Sequence, residues 1–293
     1  MRDKLLSENN LSIIEKAAST FGAGKNISAT TVEEIVPEAK TASIKGLNNV
    51  SGLKTKRLPL DFARLRHYGI ITPEDKKTTI TEQFRVIKRP LLMSAFGPNP
   101  IKNGNLIMIT SSLAGEGKSF CAVNLAMSIA MEMDNTVLLV DADVSRPMIP
   151  KILGLEENKG LLDLLLNDKL SVPEVLIKTS IEKLSVLTAG TQHPNANELL
   201  ASQSMGLLLK EIVKRYEDRI IIVDSPPLLL TSEARVLANQ MGQIVLVVEA
   251  GETSQQTVRE TLRQIESCEV VNLIYNKARS FSDKDLYVTY EPY

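Results

Sequence analysis

Ser111-Ser112-Leu113-Ala114-Gly115-Glu116-Gly117-Lys118-Ser119 lies between a short apolar run and an apolar-periodic segment, and its reading decides the fold. The run before it, Leu106-Ile107-Met108-Ile109-Thr110, has the continuous apolar character of a strand buried on both faces. The segment after it carries Phe120, Val123, Leu125, Ala126 and Ile129 and reads as a helix. A strand, a glycine-bearing turn and a Gly-Lys-Ser that opens a helix form a phosphate loop. Glycines let backbone N–H groups close around an anion, and the helix N-terminus adds its partial positive charge. Ala114, Gly115, Glu116, Gly117, Lys118, Ser119 and Phe120 are the candidates to line a nucleotide's phosphates. The Lys118 side chain suits the β- and γ-phosphates, and the Ser119 hydroxyl suits Mg²⁺. Ser112 stands where the general pattern has its first glycine. A solvated turn that reads Gly-x-Gly-Lys-Ser by chance is the plain alternative.

Two further segments count against that alternative. Thr136-Val137-Leu138-Leu139-Val140 runs into Asp141-Ala142-Asp143-Val144-Ser145-Arg146-Pro147, and Ile220-Ile221-Ile222-Val223 runs into Asp224-Ser225-Pro226-Pro227. Each is an apolar strand pattern that ends in an aspartate. Open parallel sheets bind ligands beyond the carboxyl ends of their strands. One carboxylate there can order a metal through its waters, and another can take a proton from an attacking group. Three such carboxylates beside one phosphate loop are the requirements of a Mg²⁺–nucleoside triphosphate site.

The bulk numbers narrow the partners. At 293 residues the length allows one large or two modest domains. A 43% hydrophobic content supports a core, and a net charge of −1 makes no case for nucleic acid or a membrane surface. Cys121 and Cys268 have no CxxC spacing and read as buried apolar residues in a reducing compartment. The first sixteen residues lack an apolar run of signal-peptide length, and no segment reaches that of a spanning helix. The expectation is a soluble, cytoplasmic chain without direct membrane insertion.

Composition divides the chain into four parts. Residues 1–60 mix Gly, Ser, Thr, Asn and Lys with short apolar pieces and read as a flexible arm, with Leu11, Ile14 and Ala18 able to form a docking turn. In residues 61–104, Thr81 can cap a helix that carries Glu82, Arg85 and Lys88 on one face. A solvated helix face is the plain reading of those three. Residues 105–279 alternate strand patterns near 106–110, 136–141, 185–188, 220–224, 243–248 and 271–275 with helices near 118–132, 160–167, 196–217, 232–240 and 254–267. That alternation predicts an α/β fold, a mostly parallel sheet with helices on both faces. Asn276 follows the last apolar run, so its amide is placed at the sheet's carboxyl edge, where it can pair with a base.

Residues 280–293 form the second unusual feature. The chain ends Asp285-Leu286-Tyr287-Val288-Thr289-Tyr290-Glu291-Pro292-Tyr293, with three of the six tyrosines. Pro292 and the terminal position favour a mobile tail over a central strand.

The three nucleotide motifs together with that tail resemble the bacterial tyrosine autokinases of capsule and exopolysaccharide synthesis. Glu82-Gln83-Phe84-Arg85-Val86-Ile87-Lys88-Arg89-Pro90-Leu91-Leu92 and Asn197-Glu198-Leu199-Leu200-Ala201-Ser202 resemble the branch associated with exosortase-linked loci. The similarity covers roughly residues 60–280. It implies a P-loop NTPase fold of the partition-ATPase-like (SIMIBI) type, with ATP as substrate and Mg²⁺ as cofactor. It further implies that Lys118, Asp141, Asp143 and Asp224 are catalytic and that Ser119, Asp141 and Asp224 hold the metal. Tyr287, Tyr290 and Tyr293 become phosphoacceptors, and Glu82, Arg85 and Lys88 a subunit interface. A homo-oligomer and a membrane-bound polysaccharide co-polymerase as activator are the implied partners, with peripheral placement at the inner membrane through that activator.

Departures from the family pattern are specific. Ala114 stands where a proline is usual, Ser145 where a basic residue is common, and Lys88 where the interface helix has its last arginine. Lysine cannot reproduce a bidentate guanidinium contact. The tail is short for the family. The rival reading is a switch ATPase of the partition or septum-positioning type, which shares the sheet and motifs. That class carries a lysine at the place of Leu113 and lacks a tyrosine tail. A nucleotide-sensing scaffold without catalysis is the third reading, opposed by the intact lysine and aspartates.

Overall fold

The computed structural model describes residues 57–75, 78–156, 158–215 and 218–278. Its strands are β1 (Leu106–Ser111), β2 (Thr136–Asp141), β3 (Ile177–Lys178), β4 (Leu184–Leu187), β5 (Arg219–Asp224), β6 (Gln243–Glu249) and β7 (Val270–Asn276). They form one sheet in the order β3-β4-β2-β5-β1-β6-β7. Every neighbouring pair is parallel except β3 with β4. The period-two geometry of a strand sends alternate residues to opposite faces. Ile107, Ile109, Leu139, Ile222 and Val245 accordingly enter one core, and Leu106, Met108, Leu138, Ile221 and Ile244 the other.

On the first face lie α1 (Phe62–His67), α2 (Thr79–Phe96), α3 (Lys118–Ala130) and α4 (Ile149–Leu153). The second is covered by α5 (Leu161–Leu166), α6 (Val172–Val175), α7 (Ala196–Leu200), α8 (Gln203–Arg215), α9 (Ser232–Ala238) and α10 (Gln255–Gln264). Helix α3 is buried almost all round, as its small and apolar residues require. Residues 61–104 contribute Leu65, Ile70, Ile71, Phe84, Leu91 and Ala95 to the same core as the sheet. The buried Asn124 of α3 joins them, since its Oδ1 accepts from Ile71 N at 2.8 Å. No helix among the described residues is long and apolar enough to cross a membrane.

Several local expectations are corrected. The single helix read over 196–217 is two, α7 and α8, interrupted at Ala201-Ser202, and Ser202 Oγ accepts from Met205 N at 3.3 Å. A serine that offers its oxygen to a free amide starts a new helix. The cap of α2 is Thr78, whose hydroxyl accepts from Thr81 N at 3.3 Å, and not Thr81. The Thr81 hydroxyl donates instead to Asp75 O at 3.1 Å. Pro90 sits inside α2 on its exposed side, where Val86, which loses a helical bond to it, is open to solvent.

Lys88 does not share the exposed face of Glu82 and Arg85. Those two pair with each other, Arg85 Nη1 lying 2.7 Å from Glu82 Oε1 and 2.9 Å from Oε2. Lys88 belongs to the buried stripe Thr81, Phe84, Lys88, Leu91 and Ala95. Its ammonium donates to Ser128 O at 2.8 Å, near the end of α3, and pairs with Glu132. A cation there complements the negative end of the helix dipole. The exposed basic residue one turn beyond Arg85 is Arg89.

Replacing Lys88 with Ala should lower stability by on the order of 2 kcal/mol, because a buried cation and its stem packing are lost while Glu132 can rehydrate. Arg85→Ala should stay within about 0.5 kcal/mol, as exposed pairs do. Urea unfolding at low protein concentration separates the two; equal effects would contradict the inward placement of Lys88.

Candidate active site

Strand register brings the aspartates to the loop. Asp141 is level with Asp224 across β2 and β5, and Asp224 is level with Ile109 across β5 and β1. Three adjacent strands therefore end together, at the edge where a parallel sheet receives ligands. The phosphate loop leaves β1 at that edge and enters α3.

Two glycines permit the loop's shape. Gly115 and Gly117 have φ of +91° and +96°, a region that favours glycine. A Cβ on Gly117 would also meet Asn276 Nδ2 at 2.1 Å and push that amide from its place on the loop. Ser112 is fully buried with its hydroxyl 2.8 Å from that of Thr261 in α10, a partner that gives serine a use where glycine was expected. Ala114 and Gly115 are open to solvent, whereas the Phe120 ring packs towards Gly69, leaving only its backbone beside the site.

The carboxylate of Glu116, a residue expected to line the phosphates, is buried and organises the loop. Oε2 accepts from Leu113 N at 2.6 Å, and Oε1 accepts from Glu249 N at 3.4 Å and from the Thr253 hydroxyl. The end of β7 fastens the same loop. Asn276 Nδ2 donates to Glu116 O at 2.8 Å, while Lys277 Nζ donates to Gly115 O at 2.8 Å and lies 2.9 Å from Glu249 Oε1. Sequence spacing alone carries no signal for Thr253, Thr261 or Lys277, because the contacts cross between distant segments. The amino group of Asn276 is thus committed to the loop.

Lys118, Asp141, Asp143 and Asp224 come together as expected. Lys118 Nζ lies 2.5 Å from Asp143 Oδ2, with both side chains largely buried. Asp143 Oδ1 accepts from Arg146 N at 3.2 Å, which fixes the carboxylate. Asp141 accepts from Asp143 N at 3.2 Å and from Ile149 N at 3.1 Å. Asp224 is fully buried and neither of its oxygens has a hydrogen-bond partner.

That isolation sets the electrostatics. Burial pushes the Asp224 carboxyl up to about 6; the Lys118 charge opposes the rise, as does the Ser119 hydroxyl nearby without completing a hydrogen bond. Asp141 is raised by burial first and by the Asp224 charge second. For Lys118 burial favours the neutral amine, but the charges of Asp224, Asp143 and Asp141 outweigh it and raise the ammonium. Buried, unpaired carboxylate oxygens beside a serine hydroxyl are a fitting place for a hard cation. Among the described residues no cluster of three His, Cys, Asp or Glu could hold a metal by itself. Mg²⁺ commonly completes its shell with phosphate and water, so the donors present are compatible with it.

Glu82 and Arg85 lie on α2, outside this cluster, and Tyr287, Tyr290 and Tyr293 lie outside the described residues.

Known proteins are similar to this chain in sequence and fold. The ParA family profile, described as NUBPL iron-transfer P-loop NTPase, matches residues 102–284, more than half of the chain. The tyrosine-protein kinase YwqD of Bacillus subtilis is 34% identical over 201 residues, 68% of this chain and 81% of YwqD. The crystal structure of the chimerical protein CapA2B2 superposes with a TM-score of 0.60 at 30% identity, covering 75% of this chain and 94% of that one. The VpsO kinase domain superposes at 0.56 with 28% identity, over 67% and 95%. The chain belongs to the bacterial tyrosine kinases. As a P-loop NTPase the kinase is built to hold a nucleotide at the loop described above. Its buried Cys121 thiol is pushed up to about 12 by burial, in keeping with a packing role rather than a reactive one.

The Asp224 shift predicts a pH dependence. A carboxyl raised from 3.8 to about 6 binds its proton more tightly in the folded kinase, so its contribution to stability falls as pH rises through that window. Asp224→Asn should abolish this contribution and raise the melting temperature of nucleotide-free protein near neutral pH. Calorimetry of both proteins across the window tests it: parallel curves, or a variant less stable at neutral pH, would contradict the assignment.

Proposed function

We propose that this kinase transfers the γ-phosphoryl group of ATP to Tyr287, Tyr290 and Tyr293 of a neighbouring subunit, within exopolysaccharide synthesis. The observation that carries the reading is the convergence of Lys118, Asp143 and the unpartnered Asp224 at the mouth of the phosphate loop. Ser119, Asp224 and, less freely because of its two backbone bonds, Asp141 are the groups that would hold Mg²⁺. When bound, Mg²⁺ neutralises charge that develops on the transferring phosphoryl group.

A tyrosine hydroxyl titrates near 10, so transfer at neutral pH is helped by a base. Asp143 has that role in our reading: it takes the phenolic proton as the new oxygen–phosphorus bond forms and ADP departs with the β–γ bridging oxygen. Lys118 now neutralises Asp143, and a triphosphate in the loop competes for that ammonium. Substrate binding thereby releases the base, a link between nucleotide occupancy and reactivity. The loop amides between Ala114 and Phe120 complete the phosphate cradle. Asn276 Oδ1 can accept from the amino group of adenine but not from the carbonyl oxygen of guanine. Asn276→Ala should therefore narrow any preference for ATP over GTP in competition binding, besides loosening the loop; an unchanged preference would remove Asn276 from base recognition.

Assembly rests on α2. Glu82 and Arg85 are exposed there, and Arg89 rather than Lys88 supplies the next cation of that face. Fully extended, the chain from Lys277 to Tyr293 could span roughly 55 Å, enough to reach a neighbour. A membrane-bound polysaccharide co-polymerase is the activator we assign, with the kinase cytoplasmic and peripheral at the inner membrane through it. The exosortase-associated branch rests on the segments around Glu82 and Asn197. Phosphate adds roughly −1.5 to −2 charge at each tail tyrosine, so phosphorylation should drive the tail from the aspartate-rich site and disperse the oligomer.

The decisive experiment mixes a Lys118→Met chain that keeps its tail with an active chain whose three tail tyrosines are Phe. Labelling of the inactive chain on addition of Mg-ATP, lost with Arg85→Ala in both, is the expected outcome. No labelling, with concentration-independent labelling of wild type, would overturn transfer between subunits.

A further inference from the structure

Tyr68, far from the terminal tyrosines in sequence, has surroundings that suit a chemical role. It closes α1 and is 47% exposed. Arg66, His67 and Gly69 beside it are exposed as well, so these neighbours and Tyr68 form a protruding turn. Gly69 permits the turn through a φ of +70°. Tyr275 is more exposed, at 67%, but it sits within the β7 ladder opposite Val248 of β6. Local opening costs least where few backbone bonds and buried contacts hold the chain. The end of a short helix therefore presents a tyrosine to another active site more readily than a paired strand does.

Charge separates the two tyrosines further. Arg64, Arg66 and His67 occupy the last turn of α1, directly before Tyr68. A basic acceptor segment is drawn towards a catalytic edge that carries Asp141, Asp143 and Asp224. Arg66 is engaged by Glu74, its Nη1 lying 2.6 Å from Oε2. Arg64 and His67 are the cationic and titratable neighbours of the ring itself. The guanidinium carbon of Arg64 lies 5.4 Å from the Tyr68 ring centroid, and the His67 ring centroid lies 5.8 Å away, edge-on.

Arg64 is also fixed to the segment that supports the catalytic aspartates. Its Nη2 donates to Lys151 O at 2.8 Å, and its stem lies against Gly154, where a Cβ would come within 3.3 Å of it. A guanidinium has five N–H donors, so a bond to Lys151 is compatible with a second acceptor. Lys151 belongs to α4, the helix whose Ile149 N donates to Asp141 Oδ2 at 3.1 Å. The other side of the turn reaches the helix that follows the phosphate loop. Gly69 packs against the Phe120 ring, and Ile71 N donates to Asn124 Oδ1 at 2.8 Å. Tyr68 thus stands at a junction tied both to α3 and to the support of Asp141.

We propose that Tyr68 is a further phosphoacceptor of this kinase and that Arg64 receives the phosphate. The proposal rests on the transfer reading above and extends it to a tyrosine outside the tail. Tyr68 Oη bonds to the γ-phosphorus of ATP, the bond to the β–γ bridging oxygen breaks, and ADP departs. The phenolic proton passes to Asp143 of the copy that acts on it. The product carries roughly −1.5 to −2 charge beside Arg64 and His67. One guanidinium then bridges the phosphate and Lys151 O, which fastens α1 to α4 and stiffens the support of Asp141 through Ile149. Tail phosphorylation consumes substrate, whereas a phosphate at Tyr68 acts on the site itself.

The test uses the full chain with Tyr287, Tyr290 and Tyr293 changed to Phe, incubated with Mg-ATP beside the parent chain. Intact mass and peptide mapping should find phosphate on this variant at Tyr68, lost in Tyr68→Phe, with Tyr275 unmodified. Amide exchange of residues 149–154 should slow severalfold on modification. Arg64→Ala should abolish that slowing while Tyr68 is still phosphorylated. A parent labelled in its tail, with the variant unmodified at Tyr68 or modified at Tyr275 instead, would overturn the proposal and leave the transfer reading intact. A parent labelled on no tyrosine would overturn both. Phosphate at Tyr68 with unchanged exchange, or slowing that persists in Arg64→Ala, would overturn the role given to Arg64.

Discussion

Three carboxylates and one ammonium share the carboxyl edge of a sheet that excludes water, and the rest of the site answers to that imbalance. Asp224 lies fully buried with no hydrogen-bond partner, a state that costs stability wherever it is ionised. The fold cannot relieve it by moving the residue, because the β5 register that places Asp224 also pairs it with β1 and β2. Among the described residues Lys118 is the cation that acts on Asp224, and it is shared: it contacts Asp143 while its charge lowers the cost at Asp224. In the proposed reading Ser119 and Asp224 would hold Mg²⁺ and Lys118 would meet the phosphates, which would relieve the cost at Asp224, as expected where function needs a strained constellation.

The same constraint explains why the phosphate loop is fastened so thoroughly. An anion cradle must keep its amides pointed inward while empty, without an anion to organise them. Glu116 does this from beneath, by bonding Leu113 N and the start of the β6–α10 segment. Asn276 and Lys277 do it from the end of β7, through two carbonyls of the loop. Placing a carboxylate inside an anion site is electrostatically adverse. Its burial, and the three donors that surround it, confine the charge to the side away from the exposed loop.

Legibility in the sequence followed the range of each interaction. The six parallel strands could be read because each is a short apolar run, buried on both faces in the interior of the sheet and on one face at the edge strand β7, where Leu273 and Tyr275 are exposed, and the phosphate loop because its contacts are sequential. Lys88 was misplaced although its own spacing was informative: Phe84, Lys88, Leu91 and Ala95 form one buried stripe, and a basic residue inside it must turn inward to a carbonyl. A motif written at three-residue intervals drifts round a helix of 3.6 residues per turn, which is why Arg89 and not Lys88 stays with Glu82 and Arg85. The break in 196–217 was missed because the apolar period continues across it, while Ser202 acts through one hydroxyl. The clamp by Glu116, Ser112 and Lys277 could not be read at all, since its partners lie between about 130 and 160 residues away.

Sheet order also bears on where the phosphoryl group goes. The last described strand, β7, is four strand positions from β2, a separation of about 19 Å at normal spacing. Ten residues beyond Lys277 span about 35 Å, so chain length alone lets a tail reach its own catalytic edge. A tether of that length presents its tyrosines at an effective concentration in the millimolar range. Transfer between copies must compete with that figure, which no freely diffusing monomer at micromolar concentration can do. The exposed face of α2 therefore has a kinetic role in the proposed cycle: it raises the local concentration of a neighbour's tail to the level of the tether. Loss of that interface should turn the kinase from a mutual to a solitary mode rather than simply slow it, because the proposed base Asp143 and its partner Lys118 both belong to one chain.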